Sequence, residues 1–413
     1  MKSVASVFFM LCLAPALGLA EAPAKPPAKA QPQAPATAKT HAPAAASPPI
    51  PARAPADSAA LSPPEVAAKG YVLIAHPSGQ VLAESNADER LEPASLTKTL
   101  SAYVVFHELA AGHVALTDEV LVSEKAWRTG GSRMFAEVGK KISLEELLKG
   151  MVIQSGNDAS VALAEHVVGS EEGFAKLMNI HAQRLGMTNS HFANATGLPD
   201  PDEYTTARDI AKVATATIRE FPEYYKWYGV KEYLFNNIKQ HNRNLLLWRD
   251  DSVDGVKTGH TQGAGYCLMA SARRDGMRLT SVVMGATSQE ARAQASLALL
   301  NYGFRAYEGQ RLYEPFAQIE TLRVWMGEVT ELPVGPAEEV YATIPRGRYD
   351  QLSAHIQKNP DIVAPIAKGD PVGDIVISLG NKELSRQPIV ALRDVGEGGL
   401  WAKIRDTILR WFS

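Results

Sequence analysis

Cysteine is nearly absent from this chain of 413 residues, which has only Cys12 and Cys267. Cys12 falls in a short apolar run, Val7 to Leu13, behind Met1-Lys2 and ahead of Pro15, Gly18 and Ala20, the pattern of a secretory signal peptide over residues 1–20. Leu11 before it is too bulky for a lipoprotein processing site. Cleavage would leave Cys267 alone, which excludes an internal disulfide even in an oxidising compartment and predicts a buried free thiol. The run is also shorter than the ~20 residues of a spanning helix. Net charge is small, −3 with a pI near 6.4, so there is no basic stripe and no reason to expect nucleic acid as a partner. Branched and aromatic residues are scarce between 21 and 64, where 12 of the 26 prolines lie among Ala, Lys and Gln. Such a stretch cannot bury a core, and residues 21–65 read as a Pro/Ala-rich linker.

From Val66 the apolar patterning begins. Tyr71-Val-Leu-Ile-Ala and Val81-Leu-Ala-Glu flank the turn His76-Pro-Ser-Gly-Gln, a β-hairpin. From Ser95 to Leu109 apolar residues lie on most sides, which predicts a helix inside a core, with Pro93 at its start and Gly112 at its end. Further helices are expected at 144–152, opened by the capping-box pair Ser143 and Glu146, at 158–168 and at 207–218. Strand patterns follow at Val256 to Thr261, Tyr266 to Arg273 and Met277 to Gly285, then a helix at 288–303. Residues 66–307 therefore read as an α+β domain, an antiparallel sheet with a helical block, and short alternating runs over 308–393 as a small all-β domain.

The chain closes on a different element, 398–413, behind Gly396-Glu-Gly-Gly. At 100° per residue Leu400, Trp401, Ile404, Ile408, Trp411 and Phe412 fall within an arc of about 120°, opposite Lys403, Asp406 and Arg410. This amphipathic helix is too short to span a bilayer and suits the membrane interface; the competing reading docks it on its own domain.

Three short motifs carry the chemistry: Ser95-Leu-Thr-Lys98, Ser155-Gly-Asn157 and Lys257-Thr-Gly259. Serine and lysine three apart on a helix share a face, so the amine reaches the hydroxyl directly. Burial disfavours the ammonium, and a second lysine nearby would lower its pKa further, leaving Lys98 a usable base. Ser155 and Asn157 occupy a junction between two helices, from which a hydroxyl and an amide can project into a cleft. Lys257 to Gly259 lie on a strand, where the glycine is expected to leave room for a ligand backbone.

Together these motifs resemble the signature of penicillin-binding proteins and class A β-lactamases. With Asn194-Ala-Thr-Gly-Leu-Pro, Tyr204-Thr-Thr-Ala-Arg-Asp, Phe235-Asn-Asn, Asn242-Arg-Asn, Val253-Asp-Gly-Val and Ile344-Pro-Arg-Gly-Arg, the chain is similar over about 66–413 to the low-molecular-mass penicillin-binding D-alanyl-D-alanine carboxypeptidases. The resemblance implies a β-lactamase/transpeptidase-like domain followed by a C-terminal β domain and a membrane anchor. It implies Ser95 as nucleophile, Lys98 as base and Ser155 as proton relay, acting on peptidoglycan stem peptides ending in D-Ala-D-Ala. Asn157, Lys257, Thr258, Gly259, His260, Arg292 and Arg243 would bind substrate, the backbone N–H groups of Ser95 and His260 forming the oxyanion hole. It implies no metal or cofactor, β-lactams as covalent inhibitors, and a periplasmic location on the outer face of the cytoplasmic membrane, with a homodimer as one open assembly.

Other readings remain distinguishable. A class A β-lactamase needs a Glu-x-x-x-Asn loop; the stretch from His191 to Tyr204 lacks it, and its one glutamate, Glu203, is expected to sit exposed. A D,D-endopeptidase shares the chemistry but usually lacks the β domain and anchor. A non-catalytic wall-binding protein would not need both serines and both lysines. A metallopeptidase is disfavoured because His107-Glu108 and His113 lie six apart, so the histidines cannot face one metal from one helix.

Overall fold

The computed structural model describes residues 62–410; the signal peptide, nearly all of the expected linker, and Trp411 and Phe412 lie outside them. In chain order the first elements are β1 (Gly70–His76), β2 (Val81–Ser85) and α1 (Thr97–Ala110). A helical block follows, with α2 (Leu144–Lys149), α3 (Asn157–Val168), α4 (Glu171–Arg184) and α5 (Ala207–Glu220). Then come β3 (Val253–Thr261), β4 (Gly265–Arg274), β5 (Met277–Ala286) and α6 (Gln289–Ala306).

The five strands form one antiparallel sheet in the order β2-β1-β5-β4-β3, so the first hairpin of the chain pairs with strands some two hundred residues later. Alternation along β1 explains the layering. Val72 and Ile74 face the helical block, while Tyr71, Leu73 and Ala75 face a second core completed by Leu299 and Leu300 of α6. The sheet thus lies between helices on both faces. Helix α1 is buried through Thr97 to Phe106, as its all-round apolar composition predicts. Each fully buried Leu, Val or Phe there contributes about 1.5–3 kcal/mol.

Two boundaries differ from the sequence reading in ways that bear on the site. The α1 helix proper begins at Thr97, and Ser95 sits on a 3-10 turn, Ala94–Leu96, ahead of it. After α2 the chain widens into a π-helical turn, Gly150–Gln154, that ends on Ser155. Helix α4, which the sequence reading left out, is capped by the Ser170 hydroxyl accepting from the Gly173 N–H.

The following part is all-β around its own core. A hairpin-like pair joins β6 (Tyr307–Tyr313) to β9 (Val340–Pro345). Strands β7 (Glu320–Arg323), β8 (Glu331–Pro336), β10 (Leu352–Lys358), β11 (Pro371–Leu379) and β12 (Lys382–Ala391) make a sheet in the order β7-β8-β12-β11-β10.

The last described helix, α7 (Leu400–Arg410), docks through its polar face. Asp406, fully buried, accepts the Met326 N–H at 2.7 Å, and Arg410 pairs with Asp361 at 2.6 Å. The apolar face points outward, leaving Leu400 72% and Trp401 83% exposed. No described helix is long and apolar enough to cross a membrane. Cys267 is a buried free thiol, as expected.

Candidate active site

A cleft of about 580 Å³ opens where the start of α1, the end of the π-turn and the outer edge of the sheet converge. Ser95, Ser155, Asn157, Arg243, Thr258, Gly259, His260 and Arg292 line it. Lys98 and Lys257 stand behind that wall, 1% and 3% exposed. All ten residues singled out from sequence thus belong to one region, although they arise from five segments of the chain.

Both serines are held by backbone that L-residues rarely adopt. Ala94, just before Ser95, has φ +46°, and Ser155 itself has φ +70°. Left-handed geometry costs a non-glycine residue about 1–2 kcal/mol and persists only where surrounding packing imposes it. At Ala94 the packing partner is Gly197, whose missing side chain lets the loop lie against the Ala94 carbonyl. At Ser155 the π-turn ends abruptly, leaving the hydroxyl buried with no hydrogen-bond partner among the described residues.

The Lys98 amine donates to Ser95 Oγ at 3.0 Å and to the Thr196 carbonyl at 2.5 Å. Burial pushes its pKa down to about 7; Glu203 is the strongest opposing influence, and the Arg243 guanidinium adds to the downward shift. Lys257 is held well below the usual lysine range, by burial first and then by the charges of Lys98, Arg243 and Arg292. The repulsion between the lysines falls on Lys257; the cation that adds to burial in lowering Lys98 is Arg243, which acts on both.

Helix α3 begins at Asn157 with Gly156 as its N-cap. The Asn157 side chain donates to the Gly130 carbonyl at 2.6 Å, and its Oδ1 is buried without a partner among the described residues. The next residue, Asp158, was not anticipated. Its carboxylate accepts the N–H groups of Met134 at 2.9 Å and Ala136 at 3.0 Å, clamping the 130–136 loop against α3. The available signal was an acid in the first turn of a helix beside the Ser155-Gly-Asn157 motif.

Strand β3 is the edge of its sheet, so one side of Lys257 to Thr261 has no strand neighbour. Gly259 lines the cleft and also packs against the nucleophile turn. A Cβ there would lie 3.1 Å from Ala94 Cβ and 3.2 Å from the Ser95 N, so its space is taken by the turn carrying Ser95. Arg292 donates to the carbonyls of Gly259 at 2.9 Å and Cys267 at 3.3 Å, and burial pushes its pKa down to about 10. Arg243 donates to Ser132 Oγ at 2.7 Å, held by Asn242 and Asn244, whose amides bond backbone carbonyls on either side.

Glu203 departs from expectation. It is 5% exposed, takes the Thr97 hydroxyl at 2.7 Å and the Asn194 amide at 2.7 Å, and burial pushes its carboxyl up to about 7. Its surroundings fold over it because Asn194 and Thr196 knit the loop to the start of α1. The other histidines behave as ordinary structure: His107 packs against Tyr103, His181 and Phe221, and exposed His113 bonds Glu108 at 2.6 Å.

Residues 57–288 match the D-alanyl-D-alanine carboxypeptidase family. The chain belongs to that family. Residues 307–397 match the family described as the C-terminal domain of penicillin-binding protein 5. Among relatives, the D-alanyl-D-alanine carboxypeptidase DacC of Escherichia coli (strain K12) is 44% identical over 84% of this chain and 90% of its own. DacA of the same organism is 41% identical over 84% and 88%. The crystal structure of penicillin binding protein 5 from Haemophilus influenzae superposes with a TM-score of 0.76 at 40% identity, covering 82% of this chain and all of that one. Penicillin-binding protein D2 of Listeria monocytogenes, solved in an ampicillin-bound form, is 27% identical with a TM-score of 0.54 over 58% and 98%. This carboxypeptidase is therefore a serine-type hydrolase with the penicillin-binding protein fold and an all-β C-terminal part.

Proposed function

We propose that this carboxypeptidase removes the terminal D-alanine from peptidoglycan stem peptides ending in D-Ala-D-Ala, through an acyl-enzyme on Ser95. The observation that carries the residue assignment is the Lys98 amine, buried and 3.0 Å from Ser95 Oγ. With the Thr196 carbonyl engaging one N–H of a neutral amine, the lone pair is free to face the serine hydroxyl. Ser95 Oγ adds to the carbonyl carbon between the two D-alanines while Lys98 takes its proton. The backbone N–H groups of Ser95 and His260 receive the charge that develops on the carbonyl oxygen.

The C–N bond then breaks, and Ser155 relays the proton taken by Lys98 to the departing amine with Lys257 beside it, which returns Lys98 to the neutral amine. Its unpartnered hydroxyl supports that role, as the bare Asn157 Oδ1 supports binding of a substrate N–H. Lys257, Thr258, Arg292 and Arg243 supply cationic and hydroxyl donors for the terminal carboxylate. Gly259 serves by letting β3 approach Ser95. Water, deprotonated by Lys98, hydrolyses the ester. β-lactams acylate the same serine.

In the same reading the protein is exported and works in the periplasm, held on the outer face of the cytoplasmic membrane by residues 398–413. An apolar helix face left exposed while Asp406 holds the polar face down supports the anchor. Purified enzyme should label with a fluorescent penicillin and release free D-alanine, and Ser95→Ala should do neither. Wild type that fails at both would overturn the assignment.

A further inference from the structure

Beside the Lys98 base lies a buried acid, Glu203, that takes no part in the proposed steps. Glu203 closes a ring of hydrogen bonds around the base. Its Oε1 accepts from Thr97, the residue just before Lys98, and its Oε2 from Asn194 Nδ2. Asn194 Oδ1 in turn accepts from the Thr196 N–H at 3.0 Å, the Thr196 hydroxyl at 2.6 Å and the Gly197 N–H at 2.8 Å. Thr196 then offers its carbonyl to Lys98. Glu203 therefore touches the α1 start directly on one side and reaches the Lys98 amine through two residues on the other. The N–H groups of Ala193 and Asn194 also bond its carboxylate, so every partner is a donor, the set an ionised carboxylate needs.

We propose that Glu203 is a positioning residue for Lys98: its carboxylate holds the Asn194–Gly197 turn so that the Thr196 carbonyl meets the amine, and its charge stabilises the ammonium formed when Lys98 takes the Ser95 proton. This rests on Lys98 being the base. Five charged groups act at the lysine pair: Glu203, Asp158 and Glu171 as acids on Lys98, Arg243 as a cation on both lysines, and Arg292 as a cation on Lys257. Asp158 is committed to the 130–136 loop, and Glu171 pairs with Lys125 at 3.1 Å. Glu203 has no ion-pair partner among the described residues, which leaves its charge for Lys98.

Glu203→Gln isolates that charge. Its amide can donate to the Thr97 hydroxyl and accept from Asn194, so the ring survives without the anion. The rate of acylation by a fluorescent penicillin is measured from pH 5 to 9 on wild type, Glu203→Gln, Glu203→Asp and Lys98→Ala, together with D-alanine release. Titration of reactive sites at saturating penicillin normalises each rate to folded enzyme. With Glu203→Gln the acid limb should move down by about one pH unit, because the ammonium loses a counter-charge. The plateau should fall about tenfold, since the base is weaker, with KM changed less than about twofold. Glu203→Asp keeps the anion and should hold its limb near the wild-type position. A Glu203→Gln profile that superimposes on wild type overturns the proposal. If Lys98→Ala is inert in that event, the base assignment stands and only the role of Glu203 fails; if Lys98→Ala acylates like wild type, the base assignment itself is lost.

Discussion

Lys98 Nζ stands 3.0 Å from Ser95 Oγ, one helical turn along a segment buried on every side. That relationship sets a pH dependence. The Lys98 pKa lies near 7, and the amine must be neutral to accept the serine proton. Acylation should be fastest above about pH 8 and fall about tenfold per unit as pH drops below 7, because protonation removes the lone pair. Lys98→Arg, whose guanidinium stays charged, should lose at least about a hundredfold at every pH. Stopped-flow acylation by a chromogenic β-lactam checks both; a profile flat from pH 5 to 9 would sink the first.

Ser155 combines a functional hydroxyl with a left-handed backbone, φ +70°. Ser155→Ala and Ser155→Gly should both depress D-alanine release, by about a hundredfold or more, since each removes the relay hydroxyl. Their stabilities should part: glycine accepts this φ without strain, so Ser155→Gly should be about 1 kcal/mol more stable than Ser155→Ala. Urea unfolding of the two variants gives the comparison, and equal midpoints would show that the backbone there is not strained.

Gly259 gives a steric prediction. An alanine Cβ would press on Ala94 Cβ, the Pro93 carbonyl and the Ser95 N, all within 3.2 Å. Gly259→Ala should move the Ser95 turn and slow acylation by about tenfold or more while the fold persists, a misplacement effect. Normal acylation with weakened substrate binding alone would instead favour a glycine that makes room for ligand.

At the other end of the molecule, Asp406 and the exposed face of α7 can be separated. Trp401→Ser, at a side chain 83% exposed, should weaken binding to anionic lipid vesicles without changing the unfolding midpoint. Asp406→Asn loses the charge that meets the Met326 N–H and nearby Arg323, and should loosen the helix while vesicle binding persists. Vesicle flotation and protease susceptibility of residues 398–410 distinguish them. Unchanged flotation after deletion of 397–413 would count against an interfacial helix.

Sequence alone determined the parts whose causes are local. The all-round apolar run after Ser95 had to be a buried helix, and the alternation of Val72 and Ile74 against Tyr71, Leu73 and Ala75 suited a strand covered on both faces. Three motifs on a helix start, a helix junction and a strand supplied seven of the ten residues at the cleft, and the family resemblance added His260, Arg243 and Arg292. The C-terminal arc of Leu400, Trp401, Ile404 and Ile408 was likewise legible from angles.

Tertiary structure decided what depends on long-range approach. The Thr196 carbonyl beside Lys98 is a backbone atom that any residue type supplies, so no sequence signature could reveal it. Glu203 reads as an exposed loop acid until Thr97, 106 residues before it, and Asn194, nine residues before it, bond to it and enclose it. That Gly259 also lets β3 pack against the Ser95 turn is visible only once the two segments meet. The left-handed residues Ala94 and Ser155 carry no local preference for that conformation, and only surrounding packing holds them there. The Ser95–Lys98 pair was therefore legible as chemistry, while the conditions that make it a nucleophile and a base were set by the folded chain around it.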